Sequence, residues 1–208
     1  MSQARLQNRV LPTGDIVAAP FRGTLTGNRG ILSFDGHGRL STSRWKHKHW
    51  IVCTLVHPRG RYHGPQPARG WTPLFFLDEA VALAAGHRPC AYCRPDAYRA
   101  WVNAWTRAYG EKTGHKEMDA ALHAARVTRN RTQIRHRALL RDLPDHAFVL
   151  HQDQAHLVLG RSLHPFKNGI YGAGIPRNPL DDDPVTVLTP HPTLRVLDAG
   201  YKVRTCLE

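Results

Sequence analysis

Two cysteines separated by two residues, Cys90 and Cys93, constrain this chain more than any other feature. They stand in the segment 86–96, which reads GHRPCAYCRPD. A tight turn between two thiolates at that spacing aims both sulfurs at one point, which is what a tetrahedral zinc requires. Two further cysteines, Cys53 and Cys206, make a four-sulfur site arithmetically complete. Such a site joins segments remote in sequence, so it dictates which parts of the chain must meet.

Cys90 and Cys93 form the firm half of the expected zinc site. Cys53 is the expected third ligand, because a thiol in a strand has a fixed direction and the intervening loop and helix can return to it. Cys206 is the fourth ligand if the C-terminus folds back. His57 is the alternative fourth, since four residues beyond Cys53 in a strand it shares that residue's face. His87 and His63 compete by proximity, but each is one of 14 histidines and starts with little weight.

The remaining composition bounds the class. A chain of 208 residues with 41% apolar content is long enough for one domain with a proper core, so zinc would act as a local clamp. Lysine and arginine total 29 against 16 acidic residues, a formal charge of +13. Residues 1–77 contain eleven of those cations and only Asp15 and Asp35 as acids. A bias this concentrated reads as a face for a polyanion, because a positive surface gathers phosphates and releases their counterions. No apolar run is long enough to span a membrane, and the first residues lack the hydrophobic stretch of a signal peptide. The expected location is the cytoplasm, where a CxxC is more often a metal or redox site than a disulfide.

Turn and period signals divide the chain into three. In the β-rich N-terminal half, residues 14–20 read as a short strand, 22–30 as a glycine-punctuated loop and 31–34 as a strand ended by Asp35-Gly36. Residues 50–56 are the strongest strand, and the proline- and glycine-rich stretch 58–73 is a loop. In the middle, Asp78 caps a helix over 79–85 that Gly86 stops. Pro95 opens a longer helix with Tyr98, Trp101, Val102, Trp105 and Tyr109 on a core-facing stripe, ended by Gly110. A third helix is expected over about 116–126. In the last third, 147–150 and 156–159 form a hairpin, 185–188 is a strand, and 193–199 is a helix closed by Gly200. Strands, then helices, then strands predict an α+β fold: a single domain over 1–208 with a zinc knuckle around 86–96.

Residues 75–96, FFLDEAVALAAGHRPCAYCRPD, resemble the metal-binding domain of the bacterial Ada methyl-repair proteins. The likeness covers a tenth of the chain. It is specific at Gly86, Arg88, Pro89, Cys90, Cys93, Arg94 and Pro95, within an Arg-Pro-Cys-x-x-Cys-x-Pro knuckle that follows a short helix. That family holds zinc with four cysteines, and has an upstream cysteine pair where this chain has Cys53 and His57. The resemblance implies zinc binding, and Cys53 as a methyl acceptor if the family's chemistry carries over. The whole chain is also similar to a bacterial family without an assigned activity.

Basic and acidic constellations supply the other candidates. Residues 44–50, RWKHKHW, interleave Arg44, Lys46 and Lys48 with Trp45 and Trp50, a strip that can hold phosphates while an indole stacks on a base. Residues 126–141 carry six arginines, with no acid before the final one, and Arg131, Arg135 and Arg137 are candidate phosphate contacts. Arg22 and Arg29 lie in the glycine loop and could present guanidiniums to a phosphate. For a reaction, Asp119 and His123 are i,i+4 neighbours on the third helix, able to share a metal or act as an acid–base pair. The pattern of a zinc deaminase, a P-loop and a Gly-x-Ser-x-Gly elbow are all absent.

The combined expectation is a zinc-binding protein that binds nucleic acid, DNA ahead of RNA, with a role in DNA repair or processing. The alternatives are a nucleic-acid-processing enzyme, working through Asp119 and His123 or through Cys53, and a zinc-stabilised interaction protein.

Overall fold

The computed structural model describes residues 5–56, 58, 71–177, 182 and 184–207. Within them the chain is α+β, with two sheets and four α-helices. The first sheet has six strands: β1 (Arg9–Val10), β2 (Ile16–Val17), β3 (Leu25–Asn28), β4 (Ile51–Thr54), β5 (Leu74–Phe76) and β6 (Arg88–Pro89). Their spatial order is β2-β1-β5-β3-β4-β6, with β1·β5 and β4·β6 parallel and the other pairs antiparallel.

Helix α1 (Glu79–Ala84) is buried along its whole length. Its cap is the expected one: the Val81 amide donates to Asp78 Oδ1 at 3.1 Å, and Gly86 follows the C-cap at φ 82°. Helix α2 (Pro95–Tyr109) starts on its proline and ends on Gly110 in the left-handed region. Its stripe is core, with Trp101 and Trp105 buried and Tyr98, Val102 and Tyr109 packed against the same cluster. Helix α3 (His115–Arg126) buries Met118 and Leu122.

The second sheet is formed by β7 (His136–Leu139), β8 (Phe148–His151), β9 (Gln154–Leu159), β10 (Ser162–Lys167), β11 (Ile170–Tyr171), β12 (Ile175–Pro176) and β13 (Pro184–Val187). Its order is β11-β10-β9-β8-β13-β7, with β12 beside β10. The β8–β9 hairpin turns on Gln152 and Asp153, both at positive φ, as a two-residue turn between right-twisted strands demands. Helix α4 (His191–Asp198) follows β13. One hydrophobic cluster draws Val52, Leu74 and Phe76 from the first sheet, Phe148, Leu157 and Phe166 from the second, and residues from all four α-helices.

Two local expectations fail. The glycine-punctuated loop is in fact β3, a central strand, and its Gly27 is needed because a Cβ there would lie 2.4 Å from the Phe76 ring. Residues 31–34 give only an isolated bridge, Phe34 to Leu40, because Asp35 Oδ1 accepts from the His37 and Arg39 amides and rolls the chain into a tight turn. Most of the predicted loop 58–73 lies outside the described residues, as do His57 and His63.

Candidate metal centre and cationic cleft

Backbone pairing brings the sulfurs together. Strand β6 lies parallel to β4 with Val52 opposite Pro89, and the Cys90 amide donates to the Val52 carbonyl at 3.0 Å. The next residues in register are Cys53 and Cys90. The chain then turns, with the Arg94 amide on the Cys90 carbonyl and the Cys93 amide 3.5 Å from Cys90 Sγ, just before Pro95 starts α2. The sulfurs of Cys53, Cys90 and Cys93 lie within 4.8 Å of one another. That fits one metal ion, since tetrahedral Zn–S bonds of about 2.3 Å place sulfurs roughly 3.8 Å apart. The Cys53 thiol and the Cys93 amide both hydrogen-bond to Cys90 sulfur and hold its pKa down to about 5. Cys93 rises to about 11 through burial and the Cys90 charge, and Cys53 rises through its hydrogen bond to Cys90 and burial. Cys90 is thus the sulfur most readily ionised, and a bound cation would draw the protons off all three thiols.

Cys206 does not join them. The C-terminal segment does fold back, but onto the start of α1: the Cys206 amide donates to Asp78 Oδ2 at 3.1 Å and its thiol points at the Leu77 carbonyl. Asp78 Oδ2 also accepts from Tyr171, and the buried Glu79 pairs with Arg94 at 2.9 Å and accepts from Tyr201. The tail is thus held at the start of α1, and Cys206 stands outside the cluster of the other three sulfurs. Three sulfurs are the donor set among the described residues, and His57, the other candidate fourth ligand, lies outside them.

Asp119 and His123 are not brought together either. Asp119 is 3% exposed, and both its oxygens are taken by Arg88, at 2.8 Å and 2.7 Å. His123 turns instead to Arg126, with Nδ1 3.0 Å from Nη2, and its edge faces Trp45. An acid–base pair needs a carboxylate on the imidazole, and here the carboxylate is spent on an arginine.

The basic candidates divide. Arg29, Arg44, Trp45, Arg131 and Arg135 open onto a single cavity of about 610 Å³. Arg22 and Lys46 are exposed elsewhere, Lys48 lines a separate hollow beside Cys90, and Arg137 sits on β7 with its guanidinium on the Pro184 carbonyl. The cavity walls are pinned from several sides. The Lys46 amide donates to the Arg29 carbonyl, beneath which Gly30 adopts φ 95°. Gln133 ties its loop to the Pro12 and Ala84 carbonyls. Arg126 donates to the Gly86 and Lys48 carbonyls.

Arg126 and Trp50 belong to the arginine run and the tryptophan strip read from the sequence; what sequence reasoning missed is that the two meet, and that Asp15 lies at the rim. Trp50 is the platform, with the guanidinium carbons of Arg29 and Arg126 at 3.8 Å and 3.9 Å from its ring centroid. His87 completes the group, accepting from Arg29 Nε at 3.2 Å while burial and the two arginines keep its pKa well below normal. A signal for this existed in the charge imbalance of residues 1–77, where an arginine forced inside has almost no carboxylate to meet. Comparison of the chain with family models, with curated proteins and with solved structures finds no match. Among the described residues, no helix is long and apolar enough to cross a membrane.

Proposed function

We propose that this chain is a zinc-clamped protein that binds nucleic acid through the arginine cleft. One observation carries the reading: segments around 29, 44–50, 126 and 131–135 converge five arginines and two tryptophans on one cavity, with Asp15 its single carboxylate among the described residues. Guanidinium forks suit phosphate oxygens, and a half-exposed indole such as Trp45 offers a face to a base. The all-sulfur donor set favours zinc over harder cations. Zinc, when bound, supplies a clamp that locks β4 to the start of α2, and Cys53, Cys90 and Cys93 hold it. Burial of Cys53 at 3% exposure favours that structural role over an alkyl-acceptor role, which needs an approachable sulfur.

The test pairs two measurements on the full chain. Elemental analysis is expected to give about one zinc per chain, lost in Cys90→Ser. Fluorescence anisotropy with labelled single-stranded and duplex oligonucleotides is expected to show log K falling linearly with log salt. Absence of binding to either oligonucleotide at low salt removes the nucleic-acid reading, and metal-free protein removes the clamp.

A further inference from the structure

Arg29 is the least ordinary residue in the cleft. It is 2% exposed, yet its Nη2 has no hydrogen-bond partner among the described residues, and no carboxylate pairs with it. Its one side-chain hydrogen bond goes to a neutral imidazole. Burial and the nearby charge of Arg44 lower its pKa to about 9, which still leaves it charged at neutral pH. Arg126, 1% exposed, likewise leaves Nε without a partner. A desolvated cation without a paired carboxylate is costly, and both residues line a cavity with room for an anion.

We infer that the cleft recognises a terminal phosphate, the phosphomonoester dianion at a strand end or on a free nucleotide, with Arg29 as its buried fork. The inference rests on the nucleic-acid reading of the cleft and narrows it. A phosphodiester continues in both directions and is best met by exposed cations along a groove. A monoester ends, so it can enter a closed cleft end-on, towards a guanidinium set deeper than a continuing strand could follow. Its two charges also match a cavity whose five arginines face one acid. Once the phosphate reaches Arg29 beside Trp50, the attached nucleoside lies near Trp45, whose ring is 5.6 Å from Trp50. Arg44, Arg131 and Arg135 then remain to draw the strand in, or to hold the sugar side of a free nucleotide.

The experiment compares one short labelled oligonucleotide with a 5′-phosphate, a 3′-phosphate or hydroxyl ends, bound to the full-length, metal-loaded protein. Unlabelled nucleoside 5′-monophosphate and the parent nucleoside serve as competitors. A phosphorylated end is expected to bind at least tenfold tighter than the hydroxyl form. The monophosphate, but not the nucleoside, should compete. Arg29→Met should bring the ratio close to one while its melting temperature holds or rises, because the variant removes an uncompensated buried charge. If that variant does not fold, the wild-type ratio decides alone. Equal, salt-sensitive affinity for all three ends overturns the inference and leaves the nucleic-acid reading standing. Monophosphate binding without oligonucleotide binding assigns the site to free nucleotides and removes the nucleic-acid reading. No binding of any probe ends both.

Discussion

Arg88 and Arg29 are equally withdrawn from water, at 4% and 2% exposure, and their surroundings are opposite. Arg88, on β6, forms a two-bonded fork with Asp119. Arg29, just after β3, has an imidazole, an indole and other arginines for neighbours. The first region is finished by the chain itself, and the sulfur cluster two residues from Arg88 belongs to the same finished side once a metal is held. The second is finished only when something negative arrives. Burial of a charge therefore marks structure where its partner is internal, and points to a ligand where it is not.

The largest effect expected tests the finished side. Asp119→Ala leaves Arg88 buried without its partner, which should cost about 3–5 kcal/mol in urea unfolding. Loss of one kcal/mol or less would mean that Arg88 does not depend on its acid, and the contrast with Arg29 would collapse.

Gly86→Ala probes the seam between the two regions. The residue adopts φ 82°, and a Cβ there would lie 2.5 Å from Arg126 Cδ. The left-handed backbone alone should cost about 1–2 kcal/mol. Arg126 must also leave its place beside Trp50, so oligonucleotide affinity should fall further than stability predicts. Equal affinity in wild type and variant would show that Arg126 acts only as a strut for the Gly86 and Lys48 carbonyls.

That seam also shows how far the sequence could be read. Gly86 is legible as a helix stop, because a helix end is a matter of a few adjacent residues, and the same holds for Asp78, Pro95, Gly110 and Gly200. Cys90 and Cys93 are legible for the same reason, and Cys53 follows from them as the cysteine in the strongest strand. Gly86 as the surface on which Arg126 lies is not legible, since that contact joins residues 40 positions apart. The same limit hid β3, whose glycine mimics a loop until Phe76 packs over it. It also set Arg22 and Arg137 beside Arg29 as equals, when only burial separates them. Cys206 misleads in the opposite sense: the tail returns as expected, but carboxylates at the start of α1 hold it.

A smaller effect is expected at the mouth of the cleft. Arg131 and Arg135 are exposed, so replacing either with glutamine should change stability by less than about 0.5 kcal/mol. Each lost phosphate contact on a single strand should flatten the salt slope by about 0.7. Arg137→Gln, on β7 and outside the cavity, should leave that slope alone. Equal effects from all three would describe a diffuse cationic surface in place of a cleft.

The smallest effect concerns protons. His123 is partly buried beside Arg126 and Lys48, and burial first, then those charges, lower its pKa from 6.5 to about 4. Between those two values the unfolded chain binds a proton that the folded chain refuses, so this residue makes stability fall as pH drops from about 6.5 to about 4. His123→Asn removes that contribution and should flatten the stability profile in this window, compared at matched metal content so that thiol protonation cancels. A dianion beside Arg126 would offset the positive field that depresses His123. Nucleoside monophosphate should therefore raise its pKa towards the ordinary value, which NMR titration of the imidazole can follow. An unchanged His123 titration with bound monophosphate would place that ligand away from Arg126, and with it the boundary drawn between the self-paired region and the one left for a partner.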